Sequence, residues 1–175
     1  MNHPAAPRHI ILIGMPACGK STVGVLAAKT LGYRFIDSDL IIQERDGRRL
    51  HRIIREEGQE GFLKIEEAVN LTLGNDPVPS VIATGGSAVY SPAAMAHFKS
   101  VGTVVYLRLS FETVQRRLGN FTHRGVVMPA GYTLRDLYEE RCALYEKYAD
   151  ITVDEGQTDN IGAVLESLCA HFECD

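Results

Sequence analysis

A glycine-rich segment between an apolar run and a helical pattern constrains this chain more than any other feature. Residues 14–22 read GMPACGKST and match G-x-x-x-x-G-K-[ST], directly after the apolar run HIILI. Glycines permit a sharp turn here, and the N–H groups at the start of the following helix can face a phosphate. The segment therefore predicts a nucleotide-binding loop. A chance glycine-rich turn is disfavoured because every fixed position of the pattern is present.

Each fixed position of this loop has an expected role. Gly14 permits the turn, and Gly19 lets the backbone approach the phosphates closely. Backbone N–H groups of 17–21 are expected to hold the β-phosphate, with Lys20 bridging β- and γ-oxygens and the Ser21 hydroxyl binding Mg²⁺. The predicted nucleotide contacts in this segment are Gly14, Ala17, Cys18, Gly19, Lys20, Ser21 and Thr22.

The rest of the chain alternates apolar runs with helical patterns. This alternation predicts a doubly wound α/β fold, with a five-stranded parallel sheet and helices on both faces. Ligands of such folds bind at the carboxyl ends of the strands, where Gly14 and Asp37 fall. The predicted strands are 9–14, 34–37, 80–84, 103–109 and 151–154, and the clearest helical patterns are 20–31, 38–45, 60–73, 111–118, 133–147 and 160–172.

Composition limits the class of protein. The 175 residues, 45% of them hydrophobic, predict one globular domain over 1–175, in which 1–8 form a flexible tail. A net charge of −4 argues against a general nucleic-acid binder. The four scattered cysteines fit neither a zinc site nor a disulfide framework, and no apolar run has membrane-spanning length. We therefore expect a cytoplasmic monomer with no nucleic-acid or membrane partner.

Two carboxylates, Asp37 and Asp39, follow the second predicted strand in the stretch FIDSDL. Phosphoryl transfer to a small molecule needs a carboxylate on the magnesium side and a group that orients or deprotonates the attacking hydroxyl. The alternative is that Asp37 or Ser38 only caps the next helix. A cap needs one such residue, so the Asp-x-Asp pair beside a phosphate loop favours a kinase site, and we assign any capping role to Ser38.

At these residues the sequence resembles the shikimate kinase family, within the nucleoside-monophosphate-kinase-like P-loop group, over about residues 9–170. The resemblance implies ATP-dependent, Mg²⁺-assisted transfer of the γ-phosphoryl group to a hydroxyl of shikimate, a small hydroxylated acid of aromatic amino acid biosynthesis. Its landmarks are the phosphate loop, DSD (37–39), EEGQEGFLKIE (56–66), TGGS (84–87), RRLGNFTHRG (116–125) and ERCALYEKYADITVD (140–154).

The resemblance implies roles around the nucleotide. Asp37 would help to hold Mg²⁺ through water, and Asp39 would bind and activate the acceptor hydroxyl. Arg117 would stack on adenine, and Arg124 would reach the phosphates from a mobile lid over about 119–132. A plain surface loop is equally compatible with the residues of that segment.

The resemblance also implies an acceptor site next to a helical region at about 38–73. Gly85 and Gly86 would present backbone N–H groups to the substrate, and Arg141 would pair with its carboxylate. Independently, Arg141 lies in the apolar stripe of a predicted helix, where a buried guanidinium needs an anionic partner. That partner could instead be Glu67 or another acid of the protein.

The sequence departs from the family at the acceptor site. The family reads G-E-x-x-F-R-x-x-E where this chain has GQEGFLKIE, so Leu63 replaces a carboxylate-binding arginine and Gln59 replaces a glutamate. Ser87 stands at the third glycine of a Gly-Gly-Gly turn, and Gly125 replaces a proline. Loss of a bidentate arginine from a desolvated carboxylate site costs about 2–5 kcal/mol.

Nearby cations are poor replacements for that arginine. Lys64 points about 100° away around the helix. The basic segment RRLHRIIR (48–55) could send an arginine into the pocket, but it is better explained as a solvated helix face with Leu50, Ile53 and Ile54 turned inward.

Three functions remain to be compared. The leading hypothesis is a small-molecule kinase that uses ATP and Mg²⁺ to phosphorylate shikimate. The first alternative is a paralogous kinase for another small polyol or hydroxy acid, in which Leu63 forms an apolar wall of the acceptor site. The second is a nucleotide-binding regulatory protein without transfer activity, which the retention of Asp39 disfavours.

Overall fold

The centre of the molecule is a parallel β-sheet. A computed structural model of the chain describes residues 9–119, 126–154 and 160–172. In this part of the chain five strands pair in the order β2-β3-β1-β4-β5. The predicted sheet is confirmed, with strand ends that differ from the prediction by at most one residue. The strands are β1 (His9–Ile13), β2 (Arg34–Asp37), β3 (Ser80–Ala83), β4 (Thr103–Arg108) and β5 (Ile151–Asp154).

Seven α-helices surround the sheet in the described ranges. They are α1 (Lys20–Leu31), α2 (Ser38–Asp46), α3 (Leu50–Asn70), α4 (Pro92–Val101), α5 (Phe111–Leu118), α6 (Leu134–Tyr148) and α7 (Ile161–Cys169), with a short 3₁₀ helix at Ala88–Tyr90. Helix α4 was not among the predicted helices. It carries the usual start signals, because the Ser91 hydroxyl accepts a hydrogen bond from Ala94 N at 3.0 Å and Pro92 follows the cap.

Helix α3 differs most from its prediction, which placed it at 60–73. It begins ten residues earlier in the chain, at Leu50, and ends at Asn70. Gly58 interrupts it with φ 69° and ψ −178°, so two helical segments meet at a kink. The kink breaks the spacing of apolar residues, which explains why the helix predicted at 60–73 and the helix face expected at 48–55 were not joined into one helix.

The path of the chain places helices on both faces of the sheet. The crossover from β1 to β2 runs towards one edge of the sheet, and every later crossover runs towards the opposite edge. Because such crossovers are right-handed, α1 lies on one face and the helices between later strands lie on the other. Helix α7 contacts α1 and joins its face.

The reversal between β1 and β3 creates the crevice in which ligands of this fold class bind. The central strand β1 is fully buried, as expected for a parallel strand that is covered on both faces. At its carboxyl end Thr84, just past β3, donates hydrogen bonds from its N–H and hydroxyl to Leu12 O at 3.2 and 2.9 Å. This pairing sets the turn after β3 beside the phosphate loop after β1.

Two other expectations can be compared with the structure. No helix in the described part of the chain is long and apolar enough to cross a membrane. Within the same residues Cys142 is a free thiol. Residues 1–8, predicted to be a tail, lie outside the described residues.

Candidate active site

The phosphate loop runs from the end of β1 to the start of α1. Gly14 has φ +148°, and a Cβ there would lie 2.7 Å from Leu107 O, so the neighbouring strand leaves room for glycine alone. Lys20 is buried, and its Nζ donates to the carbonyls of Gly14 at 2.8 Å and Met15 at 2.9 Å. The lysine therefore ties the start of the loop to the first turn of α1.

Ala17 is the one described non-glycine residue with a positive φ, at 64°. A side chain in this left-handed conformation costs roughly 1 kcal/mol or more. The Ala17 carbonyl accepts a hydrogen bond from Arg117 Nη1 at 3.3 Å. Arg117, at the end of α5, is thus held against the loop and lines the cavity described below.

Asp37 joins the phosphate loop to α2. Its Oδ2 accepts a hydrogen bond from Ser21 Oγ at 2.7 Å, and its Oδ1 caps α2 by accepting from the N–H groups of Asp39 and Leu40. The assignment of the cap to Ser38 is therefore wrong. A carboxylate has two oxygens, so Asp37 can cap the helix and bind Ser21 at once.

Ser38 instead connects α2 to the turn after β3. Its buried Oγ accepts the N–H of Gly85 at 3.0 Å. This N–H was expected to face the substrate, but it is already used within the protein. Gly86, next in the turn, faces the cavity and lies beside the Arg141 guanidinium, whose Nη1 would be 3.1 Å from a Cβ at Gly86.

The carboxylates of half-buried Asp39 and buried Glu66 converge on Gly85. A Cβ at this position would lie 2.2 Å from Glu66 Oε1 and 3.0 Å from Asp39 Oδ1, so only glycine fits between them. Neither of these oxygens has a hydrogen-bond partner among the described residues. Asp39 and Glu66 therefore present two unpartnered acceptors at one point of the cavity.

The pKa values of both carboxyl groups are raised. Burial raises the pKa of Asp39 to about 6, and the neighbouring Asp37 carboxylate adds to the rise while Lys20 opposes it. Burial raises the pKa of Glu66 to about 7, against the hydrogen bond from Ser87. A carboxylate with a pKa near 6 is a stronger base than an ordinary aspartate and is still ionised at neutral pH.

Glu66 was not among the candidate residues, although the sequence contained a signal for it. It stands between Phe62 and Val69 at helical spacing, inside the apolar stripe of α3. The argument that singled out Arg141, a charge in an apolar stripe, applies equally to Glu66. In the structure its Oε2 accepts a hydrogen bond from Ser87 Oγ at 2.7 Å.

Arg141 of α6 is 1% exposed. Its Nη2 donates to Val127 O at 2.5 Å and its Nε to the Tyr90 hydroxyl at 3.3 Å. No carboxylate of the described residues forms an ion pair with it, and Glu67, the alternative partner, binds Ser91. The guanidinium is thus buried against the Gly86 turn with neutral partners, which leaves its charge unpaired among these residues.

These groups surround a cavity of about 570 Å³ between the phosphate loop, α2, α3 and the turn after β3. Ten of the predicted site residues line it. Gly14, Cys18, Asp37 and Arg141 are not among the lining residues, although the Arg141 guanidinium lies against Gly86 of the lining. Apolar side chains that were not predicted, including Leu50 and Phe62, complete the acceptor side. The predicted residues in the lining are Ala17, Gly19, Lys20, Ser21, Thr22, Asp39, Gly85, Gly86, Ser87 and Arg117.

Comparisons with known proteins agree with this geometry. The family model for shikimate kinase matches residues 16–171. The chain is 40% identical to a shikimate kinase of Thiobacillus denitrificans, covering 83% of this chain and 80% of that protein, and 36% identical to one of Paracidovorax citrulli, covering 94% and 91%. This chain belongs to the shikimate kinase family.

Solved structures of the shikimate kinase family share the fold. The shikimate kinase of Acinetobacter baumannii, solved in complex with shikimate, is 30% identical with a TM-score of 0.85, covering 95% of this chain and 93% of that one. The enzyme of Aquifex aeolicus is 32% identical with a TM-score of 0.80, covering 93% and 94%.

Leu63, one of the departures from the shikimate kinase family pattern, does not lie where it was expected. Leu63 was predicted as a wall of the acceptor pocket, but it lines a second cavity on the far side of Glu66 and Ser87. The physical reason is helix phase, since a residue next to Phe62 points about 100° away from it. Leu63 is therefore a neighbour of the acceptor site and not part of its lining.

The basic segment 48–55 behaves as a solvated face, as predicted. Arg48 forms ion pairs with Asp46, Glu56 and Glu57, at 2.6 to 2.8 Å. Ile53 is buried beneath these charges. None of the arginines of this segment lines the cavity that contains Asp39.

The predicted lid, 119–132, is described in part. Val126 lines the cavity and Val127 holds Arg141, so the returning part of this segment covers the acceptor side. Arg124 and Gly125 lie outside the described residues, and the role expected of Arg124 stays a prediction.

Proposed function

We propose that this protein transfers the γ-phosphoryl group of ATP to a hydroxyl of shikimate. The observation that carries the proposal is the position of Asp39, a half-buried carboxylate whose buried Oδ1 has no partner among the described residues, in the cavity that also holds Lys20 and the phosphate loop. Membership in the shikimate kinase family and the likeness to a relative solved with shikimate support it.

In this reaction Asp39 accepts the proton of the attacking hydroxyl. The hydroxyl oxygen forms a bond to the γ-phosphorus, the bond to the β,γ-bridging oxygen breaks, and ADP leaves with that electron pair. Lys20 stabilises the charge on the phosphate oxygens, and Arg124 and Arg117 are proposed to contact phosphate and adenine. Lys20 also lies near enough to Asp39 to favour its ionised form.

Ser21 and Asp37 suit a magnesium ion. A hydroxyl and a carboxylate are oxygen ligands of the kind that Mg²⁺ prefers, and the ion usually takes its other ligands from water and phosphate. The 2.7 Å contact between the two side chains places them together at the phosphate end of the cavity. When bound, the ion would neutralise charge on the phosphates.

The acceptor acid is proposed to sit between Asp39 and the Gly86 turn. Its carboxylate would meet the buried Arg141 guanidinium, whose neutral partners leave its charge unpaired in the described protein. Glu66, held by Ser87, would accept hydrogen bonds from a second hydroxyl of the substrate through its free Oε1.

A second candidate is a kinase for another small polyol or hydroxy acid. One observation favours it, because the family's arginine is absent and Leu63 faces away from the cavity. This leaves Arg141 as the cation of the described acceptor site. A regulatory protein without transfer activity is disfavoured, because nucleotide binding does not require the carboxylates of Asp39 and Glu66 in the cavity.

An ADP-release assay with Mg²⁺ and ATP separates these functions. Release should rise when shikimate is added. Release with another polyol or hydroxy acid of a substrate panel, and not with shikimate, would select the second candidate, and no release with any acceptor would overturn kinase activity. The expectations of a cytoplasmic location and a monomer stay predictions.

A further inference from the structure

A second cavity of about 370 Å³ lies on the outer side of the Glu66–Ser87 pair. The second half of α3 forms one wall, and the turn that contains Ala88 and Tyr90 forms the other. Because Glu66 and Ser87 line both cavities, their 2.7 Å hydrogen bond is the partition between this cavity and the one that contains Asp39.

A buried amide lines this second cavity without partners. Asn70 is 0% exposed, and neither its Oδ1 nor its Nδ2 makes a hydrogen bond to any residue that the structure describes. A buried amide that is left unsatisfied is costly, so such groups in folded proteins nearly always have a partner. The side chain therefore needs a hydrogen-bonding partner, and the cavity that it lines is where such a partner can bind.

The charge of the lining selects the kind of ligand. Glu60, Glu66 and Glu67 contribute carboxylates, and Lys64 contributes the one ammonium group of the lining. Glu67 is half-buried, and one of its oxygens is held by Ser91. An excess of carboxylates around a small space favours a cation and disfavours an anion.

Position 63 contributes an apolar side chain to this acidic lining. The family pattern places an arginine there, whereas Leu63 lines the second cavity with an apolar side chain. A leucine is shorter than an arginine and carries no donor. It therefore leaves both the space and the acceptors that a guanidinium could occupy.

We propose that the second cavity binds a small organic cation with N–H donors, of the guanidinium or primary ammonium class. Its donors would reach Asn70 Oδ1 and the carboxylate of Glu67, while Leu63 and Ala88 cover its apolar part. A metal ion is a poorer fit, since the described residues contain no group of three or more acidic, histidine or cysteine side chains arranged to hold one.

The test is a titration of the ligand-free protein with methylguanidinium chloride, followed by heteronuclear NMR. Saturable shifts that include the Asn70 side-chain amide are expected. Tetramethylammonium chloride at equal ionic strength is the control, because it carries charge but no N–H donor, and it should cause no saturable shift. Binding is measured without ATP or shikimate, so its failure would leave the proposed kinase activity untouched.

Three variants make the test specific. Glu67→Gln and Asn70→Leu should each raise the Kd at least about ten-fold, and Leu63→Arg should abolish binding by filling the cavity with its own guanidinium. Glu44→Gln, which removes an exposed carboxylate outside the cavity, should leave the Kd unchanged. The proposal is wrong if tetramethylammonium binds equally well, or if Leu63→Arg and Glu67→Gln both bind like the parent protein.

Discussion

The phosphate end of the main cavity is built around one short segment, to which Asp37 and Arg117 are added, whereas the acceptor end joins four distant parts of the chain. Lys20 binds carbonyls five and six positions away, but Glu66 meets Ser87 across 21 positions. Arg141 reaches the same turn from α6. A local motif can stay intact while a site assembled from distant elements changes. In this chain the phosphate loop keeps every fixed position, whereas the acceptor site departs from the family pattern.

The largest expected effect comes from a substitution that replaces one oxygen by nitrogen at the acceptor end and leaves the phosphate end unchanged. Asp39→Asn should lower kcat by about 10²- to 10⁴-fold, because it removes the base that takes the hydroxyl proton. ATP affinity should change little, since the phosphate loop is untouched. Steady-state kinetics and nucleotide titration measure the two quantities, with Glu44→Gln as a control for the loss of one charge. Full activity of Asp39→Asn would show that this carboxylate is not the base.

Arg141→Met tests the acceptor end. Loss of a charge-assisted contact to the substrate carboxylate should raise KM for shikimate by about 10- to 100-fold, with a smaller change in KM for ATP. Measuring KM for shikimate and KM for ATP in the same variant shows whether the loss of Arg141 affects the acceptor end more than the phosphate end. Equal increases would mean that Arg141 supports the whole cavity and not the acceptor alone.

Glu66→Gln should increase stability in a way that depends on pH. Burial raises the folded-state pKa of Glu66 to about 7, above its unfolded value of 4.5. Its carboxyl group therefore favours folding below pH 4.5, and this contribution is lost as pH rises through 7. The variant should gain on the order of 2 kcal/mol over the parent at pH 8 and much less at pH 5. Urea unfolding at both values checks this, and a gain that is the same at both would contradict the pKa assignment.

The pH dependence of the reaction has the opposite sign. Asp39 must be ionised to accept a proton, and its pKa is raised to about 6. kcat/KM should therefore fall as pH drops through 6, approaching ten-fold per pH unit below it. A profile that stays flat down to pH 5 would contradict the role of Asp39.

The smallest expected effect concerns the phosphate end. Ala17→Gly should raise the free energy of unfolding by up to about 1 kcal/mol, because glycine adopts a φ of +64° without steric cost. Ala143→Gly, at an exposed helical position on α6, should instead lower it by about 1 kcal/mol. Thermal unfolding of both variants checks the sign, and destabilisation by both would contradict the strain at Ala17.

Much of this architecture could be predicted from the sequence. Continuous apolar strands such as β1 and the fixed spacing of the phosphate loop are local signals, and both the sheet and the family assignment are confirmed. Helix α4 was not predicted, although Ser91 and Pro92 are typical of a helix start.

The acceptor end was harder to predict, because it depends on how elements are turned against one another. The kink at Gly58 sets the phase of α3, which directs Glu66 into the main cavity and Leu63 into the second one. No local sequence pattern indicates the direction in which these side chains of α3 point. The two functions of Asp37, as a cap and as a partner of Ser21, likewise depend on the distance between two elements.

The central claim is that the two ends of the cavity cooperate to phosphorylate shikimate. The most direct measurement is ³¹P NMR of a reaction that contains the protein, Mg²⁺, ATP and shikimate. Phosphorylation of shikimate should give one new phosphomonoester per shikimate consumed, matched by one ADP, and no such signal with Asp39→Asn. Release of inorganic phosphate without a phosphomonoester, or a phosphomonoester that forms only with a different acceptor, would contradict it.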